Sequence, residues 1–419
     1  MKKTLLLTLG LMATLISNAQ TPQVTLTYED DPYTLRTIVV GSSDNSSNVV
    51  SVDWGNGTIV PSAKNDTLRG VVTGPVKIYS VQALTALTAT SNPRGTGLVG
   101  IDLSQAPELA SLNLQGNKFA ALDLRANAKL NRVVLNDNLL TSIQLPTTVT
   151  YLNLEGNKLT AFDPAGLPEL TYLRIGLNQL TSLDVSRNLK LASLYANENK
   201  INTFKLGPNA QPNLVVNLWK KELTSLDLRG AAGIGRTGSR LFVHDNQLTE
   251  ILYDSLATAN LAGNRFTLAT IPTARIAALT YAPQRDMAVA VDGLVIDLSS
   301  QATVAGQTTT FKWYRADRTV IDPSEYTEQN GRFTFNQAIE GAFCAMTNPA
   351  FPRFTTQYPF KTVGVTFNPS SIDKATLTDA PANVYTLGGM LLQRNADLNS
   401  LPAGTYVVKQ GNRVTKVAK

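Results

Sequence analysis

The sequence predicts a mainly β chain: a solenoid of short repeated coils flanked by small β-domains, one of them a β-sandwich. Three observations predict it. An apolar ladder L-x-x-L-x-L recurs eight times, each copy ending three residues before a fixed polar position. The segments on either side alternate apolar and polar residues with the period of two that half-buried strands require. The chain is 419 residues long, 43% hydrophobic and only 16% charged, a globular composition too long for a single core.

The first nineteen residues read as a secretory leader, spanning 1–19. Lys2 and Lys3 form a positive end, Leu5 to Ile16 an apolar stretch, and Ser17-Asn18-Ala19 a small-residue cleavage site. The apolar stretch is shorter than the roughly 20 residues a transmembrane helix needs. No cysteine follows the expected cleavage site, so no lipoprotein anchor is expected, and no later stretch is apolar enough to span a bilayer. The net charge of +6 falls to +4 without Lys2 and Lys3, and no dense Lys/Arg cluster interleaves with aromatics. Nucleic acid is therefore not an expected partner. The single cysteine, Cys344, excludes an intrachain disulfide.

Residues 20–85 alternate as strands, as in Val24 to Tyr28, and Asp53-Trp54-Gly55-Asn56-Gly57 marks a tight turn between two such runs. A β cap over the first coil is expected, because bare array ends expose core. Asp53 and Asn56 are too few ligands to argue a metal there.

Residues 86–278 hold the ladder, which is the leucine-rich-repeat pattern L-x-x-L-x-L-x-x-N-x-L. Its anchors are Asn117, Asn138, Asn157, Asn178, Asn199, Lys221, Asn246 and Asn264. Positions −8, −5 and −3 from an anchor are expected to be apolar, as in Leu109, Leu112 and Leu114 or Leu170, Leu173 and Ile175. Alternation sends −5 and −3 inward on a short strand, and the Asn amide is placed to satisfy backbone groups that the following turn leaves unpaired. The return side, as in Ala121 to Leu124 and Ser182 to Val185, is too short for full helices and predicts extended or turn structure. The sixth repeat departs: Lys221 replaces Asn, and Asn213 stands where Leu is expected. The insertion Gly230 to Gly238 contains G-x-G-x-x-G at Gly233, Gly235 and Gly238, but it lies between coils rather than in a strand–helix unit. It is expected to be a flexible surface loop, not a dinucleotide site.

Positions −6, −4 and −2 face outward. They place Tyr151, Tyr172, Tyr195, Trp219 and Phe242 obliquely across a concave sheet face, flanked by Arg132, Arg174 and His244. Aromatics and Arg are enriched at the energetic centres of protein interfaces. Aromatic rings also suit the apolar faces of sugars, and cross-strand aromatic ladders stabilise exposed sheets in their own right. These eight residues are the candidate ligand-binding face.

Residues 282–366 read as a β-sandwich. Phe311-Lys312-Trp313-Tyr314 and Gly341-Ala342-Phe343-Cys344 resemble strands C and F of an immunoglobulin-like domain, although no second Cys exists and Ala342 replaces the corner Tyr. Cys344 is expected to be a buried small hydrophobe. Residues 367–419 contain Asn383 to Leu392, then Leu401 to Val408, then Lys409, Arg413, Lys416 and Lys419. With Gly388-Gly389, Pro402-Ala403-Gly404 and Tyr406 in place, and Asn368-Pro369 at the start, this resembles the C-terminal sorting domain of the type IX secretion system of Bacteroidetes. That resemblance implies passage across the outer membrane by that machinery and removal of the tail, with release or anchoring to surface polysaccharide.

Taken together, these parts resemble an internalin-like leucine-rich-repeat surface protein. The resemblance implies adhesion to host proteins, other bacteria or biofilm matrix, at the outer surface or secreted. Asp66-Thr67-Leu68 and Asp254-Ser255-Leu256 match the Asp-Ser/Thr-apolar O-glycosylation pattern of that phylum. With one His, one Cys and no metal-ligand cluster, the sequence carries no parts for catalysis and calls for no cofactor or metal. A non-enzymatic protein-binding adhesin is the expected function, with a polysaccharide-binding module as the alternative.

Overall fold

The computed structural model describes residues 21–29, 34–42, 50–62, 67–80, 83–91, 95–220, 222–355, 357–368, 382–387, 389–396, 401, 405–410 and 413–418. The leader, Asp66, Lys221, Pro369, Gly388, Pro402-Ala403-Gly404 and Lys419 lie outside them. The chain forms two compact units. One comprises the residues up to Asn264 together with Pro272–Tyr281, the other Arg265–Ile271 together with the residues from Ala282 onward.

The first unit is a β-solenoid. Its principal sheet has twelve strands. Nine are parallel and carry one coil each, from Ser111–Asn113 to Ile276–Thr280. Leu84–Thr88 continues this parallel run, and Leu35–Ser42 and Thr67–Val71 add to it antiparallel. A single hydrogen-bonded ladder therefore crosses the expected 85/86 boundary, with Leu84–Thr88 paired to strands on both sides of it. A separate five-stranded antiparallel sheet holds Ile59–Ser62, Val50–Asp53, Val76–Ser80, Val24–Tyr28 and Leu98–Asp102. In the Asp53 turn both Gly55 and Gly57 donate their amides to the Asp53 carboxylate. The Trp54 ring lies against Gly70 so closely that a Cβ there would sit 2.2 Å from it. Asp53 is thus committed to its turn.

The inward ladder positions are sealed. Leu112, Val133, Leu152, Leu173, Leu194 and Val216 are fully buried, each stacked in register on the next. Each such side chain contributes about 2 kcal/mol through lost contact with water. On the return side Ala121–Asp123 pairs in parallel with Ser142–Gln144, and Ser182–Asp184 with Thr203–Lys205. The other return segments form turns and short 3-10 helices, as the short spacing requires.

Two local expectations are corrected. In the sixth repeat Leu214, not the residue at Asn213, fills the buried position, because Asn213 adopts a left-handed φ of 56° and shifts the register by one. Gly238 does the same one coil later with φ 86° and puts Ser239 inside, where its hydroxyl donates to Gly233 O and accepts from Leu214 N. The Gly-rich insertion is not a free surface loop. Ala232–Gly235 form a 3-10 turn that buries Gly233 and Ile234, and Gly233 N donates to Asn209 O at 2.7 Å. The glycines are there because the coils touch: a Cβ on Gly235 would meet Ser255 Oγ at 2.0 Å.

In the second unit one sheet orders Val291–Asp292, Val295–Asp297, Arg332–Phe335 and Tyr326–Gln329. Another places Thr310–Tyr314 beside Ile339–Thr347, which also pairs with Phe360–Lys361 and Val365–Phe367. Trp313 is fully buried and meets Phe333, Phe335 and Phe367 edge-on, so aromatic packing joins the two sheets. Cys344 is the direct cross-strand neighbour of Trp313 and is buried and unpaired. Ala382–Tyr385, Leu391–Ala396, Thr405–Gln410 and Arg413–Ala418 make a four-stranded antiparallel sheet with a small core of Ala382, Val384 and Val408. No helix among the described residues is long and apolar enough to cross a membrane.

Candidate functional site: the outward face of the repeat sheet

The strands of the sheet are held in register by buried asparagines. In each described Asn anchor the side-chain amide bonds two coils. Asn178 Nδ2 donates to Leu154 O of the preceding coil and to Ile175 O and Gly176 O of its own, while Oδ1 accepts from Leu159 N. Asn117, Asn138, Asn157, Asn199, Asn246 and Asn264 repeat the arrangement. A second ladder, which the repeat pattern does not announce, lies on the return side: Asn127, Asn188 and Asn209 donate to carbonyls one coil back. Each stands ten residues after an anchor (117 to 127, 178 to 188, 199 to 209), and that spacing is the signal that would have found it.

On this scaffold the predicted columns pair in register, although Val134 in the second of them is buried. Ser111, Arg132, Tyr151, Tyr172, Ser193, Val215, Arg240 and Thr258 pair in one row. Asn113, Val134, Asn153, Arg174, Tyr195, Asn217, Phe242 and Asn260 pair in the next. Tyr151, Tyr172, Tyr195, Trp219, Phe242 and His244 are half-buried, and Arg132 and Arg174 are exposed.

The rings form two clusters rather than one continuous stripe. In the first, Tyr151 and Tyr172 stack with centroids 4.4 Å apart and planes 3° apart, and Tyr195 tilts against Tyr172 at 5.7 Å. The Arg132 guanidinium lies 3.9 Å over the Tyr151 ring, closing that end of the stack. In the second, Trp219 and His244 stack at 5.5 Å with planes 3° apart, and Lys220 Nζ reaches to 5.9 Å from the Trp219 ring. Phe242 stacks on neither. The break falls where Ser193 and Val215 replace rings in the −6 row.

Charge on this face is partly committed. Arg174 grips Glu155 with both Nε and a terminal nitrogen, at 2.6 and 3.0 Å, and that bond raises its pKa. Arg132 and Arg240 make no ion pair with another described residue; Arg132 leaves a cationic edge beside Tyr151, while Arg240 stands between Val215 and Thr258. Burial, and next the neighbouring Tyr151, push the Tyr172 phenol above its ordinary value. Burial lowers the His244 pKa, with nearby Asp245 opposing, and His244 Nδ1 is buried without a hydrogen-bond partner. A neutral imidazole stacked on indole is the form this surface holds near neutral pH.

Among the described residues no group of three or more His, Cys, Asp or Glu could hold a metal ion. His244 and Cys344 lie in different units, and burial raises the Cys344 thiol pKa far above its ordinary value. The recurring carboxylates are structural: Asp123 is bound by Arg125 and Asp227 by Arg229, each held at about 2 by that side-chain contact.

No family model matches the chain, and no curated protein matches it. Among solved structures it is similar to the functional domain of InlJ from Listeria monocytogenes, which includes a cysteine ladder. The identity is 20%, with 68% of this chain and 66% of that chain covered and a TM-score of 0.44. It is also similar to the leucine-rich-repeat protein LIC12759 of Leptospira interrogans, at 19% identity, with 45% and 64% covered and a TM-score of 0.30. The chain spans about two thirds of each. Values this low mark neither a shared family nor a shared function.

Proposed function

We propose that this chain is a non-enzymatic, secreted or surface-exposed adhesin whose repeat sheet binds a protein partner on a host cell, on another bacterium or in biofilm matrix. The observation that carries the proposal is the registered pair of aromatic clusters, Tyr151–Tyr172–Tyr195 with Arg132 and Trp219–His244, held half-exposed on a rigid sheet. Rigid aromatics beside unpaired guanidinium groups lose little entropy on binding and bury large area. Under this reading Arg132, Tyr151, Tyr172, Arg174, Tyr195, Trp219, Phe242 and His244 contact the partner, with Arg174 acting through its Glu155 pair.

The chain divides as leader 1–19, cap 20–85, repeats 86–278, immunoglobulin-like module 282–366 and sorting domain 367–419. The Trp313–Cys344 cross-strand pair in one sheet, with Trp313 packed on Phe333 and Phe335 of the other, supports the immunoglobulin-like reading. The strand content of 382–418 and its resemblance to type IX sorting domains support the last.

Pull-downs of matrix and bacterial surface proteins with the full chain test the function. The variant Tyr172→Ala/Tyr195→Ala/Trp219→Ala should weaken capture at least about thirtyfold, the loss of one hot spot of roughly 2 kcal/mol. Full capture by the triple variant would remove the sheet face as the site. A glycan array run in parallel tests the alternative, a polysaccharide-binding face, to which the sugar-stacking capacity of the same rings lends support. Deletion of residues 383–419 should abolish surface display.

A further inference from the structure

The second unit carries a cleft of about 710 Å³ that the repeat-face reading does not use. It opens between the edge strands of two sheets, Thr310–Tyr314 on one side and Tyr326–Gln329 on the other. Its volume falls in the range of about 300–1,000 Å³ typical of small-ligand sites.

The floor is aromatic. Phe311 and Tyr326 both meet the buried Phe333 edge-on, at 5.2 and 5.6 Å, and both remain half-exposed toward the cleft. The walls are hydroxyl-rich. Thr303, Thr308 and Thr310 line them, and none of these side chains nor the Tyr326 hydroxyl makes a hydrogen bond to another described residue.

The walls are also fixed in place. Thr309 is buried between them, donating its hydroxyl to Gln301 O and accepting from Asn348 Nδ2 at 2.9 Å. The far rim is the two-residue turn Asn330-Gly331, with φ of 50° and 80°. Glu328 Oε1 accepts the Gly331 amide at 2.6 Å and locks that turn. Pro323 opens a 3-10 turn closed by a capping box between Asp322 and Glu325. Among the described residues no Lys or Arg lines the cleft, and its one charged group is Glu328.

We propose that this cleft binds a neutral oligosaccharide. An aromatic floor offers the apolar faces of pyranose rings a surface, and free hydroxyls on a rigid frame match the donors and acceptors around the ring edge. The lone carboxylate and the absence of cations disfavour sulfated or uronic-acid chains. The site is independent of the repeat face and stands whether or not that face binds a protein.

The full chain is titrated by calorimetry with tetramers of β-linked glucose, mannose and N-acetylglucosamine, and with a sulfated and a uronic-acid tetramer. At least one neutral tetramer should bind, more tightly than either acidic one. Tyr326→Phe should weaken that binding about threefold to tenfold, the loss of one hydrogen bond. Thr308→Trp, on an exposed hairpin, should fill the cleft and abolish binding while leaving the circular dichroism and the thermal midpoint unchanged. The Tyr172→Ala/Tyr195→Ala/Trp219→Ala variant should bind the tetramer as the wild type does. Absence of neutral-sugar binding, preference for acidic sugars, or binding unaffected by Thr308→Trp would each overturn the proposal. Loss of binding in the triple variant would assign the sugar to the repeat face instead.

Discussion

Replacing Asn178 by Ala tests whether the asparagine ladder, and not apolar stacking alone, holds the coils together. The side chain makes four hydrogen bonds. Its three carbonyl acceptors keep other partners: Leu154 O is also bound by Asn157, Ile175 O by Asn199, and Gly176 O by Gly156 N. Leu159 N loses its Asn178 acceptor and is left unsatisfied in the interior. That costs about 1–3 kcal/mol, and the three surplus bonds and the small void bring the total to about 3–4 kcal/mol.

Asn178→Asp makes a sharper case. Its carboxylate still accepts from Leu159 N but turns an oxygen toward three carbonyls 2.9–3.1 Å from the present amide nitrogen. Burial and those carbonyls raise its folded pKa above the ordinary value of about 3.9, so the native state binds the proton more tightly than the unfolded state. The Asp variant should be less stable than the Ala variant at pH 7.5 and recover as pH falls. Urea unfolding of the full chain, followed by tryptophan fluorescence and circular dichroism, reads both effects. Asn202→Ala is the control, because Asn202 is exposed and its side chain accepts only the Thr203 hydroxyl among the described residues. Its loss should stay within about 0.5 kcal/mol. An Asn178→Ala loss no larger than that of the control, or an Asp variant indifferent to pH, would refute the reasoning.

Gly70→Ala drives a Cβ into the Trp54 ring at 2.2 Å and should destabilise the first unit by about 1–3 kcal/mol, with a shift in tryptophan emission; an unchanged urea midpoint would mean the ring swings clear. His244 has a folded pKa lowered by burial, so its contribution is complete above the unfolded value near 6.5 and fades as pH falls through the folded value. The chain has a single His, so one imidazole resonance in NMR follows this titration directly, and a midpoint at or above 6.5 would contradict it. The Cys344 thiol, buried and raised in pKa, should resist a thiol reagent at pH 8 until urea unfolds the second unit; labelling of the native chain would show that strand open.

Much of this architecture is legible in the sequence because two periods coincide. Alternation along each strand decides which residues face out, and the coil repeat decides which of them become neighbours. The two periods alone put Tyr151, Tyr172 and Ser193 in one row. What escapes the pattern depends on backbone conformation and on contacts between coils. Asn213 reads as a defect until its left-handed φ shows Leu214 taking over the core position. The Gly-rich insertion looks like loose loop because glycines serve close packing and mobility alike; Gly235 is there for the approach of Ser255. The cap boundary is invisible because the hydrogen bonds of Leu84–Thr88 run to both neighbours. In the site itself the rings are legible, while the Arg174–Glu155 pair and the split into two stacks depend on rotamers that no residue pattern encodes.

The ladder has a direction. Asn178 reaches back to Leu154 and Leu159, Asn157 to Leu135 and Leu140, and Asn264 to Val243 and Leu248. A newly formed coil therefore finds its acceptors already assembled on the earlier one, as a zipper finds its last closed tooth. Growth in this sense needs a seed at the N-terminal end, which the strands Leu35–Ser42 and Leu84–Thr88 supply by joining the same sheet.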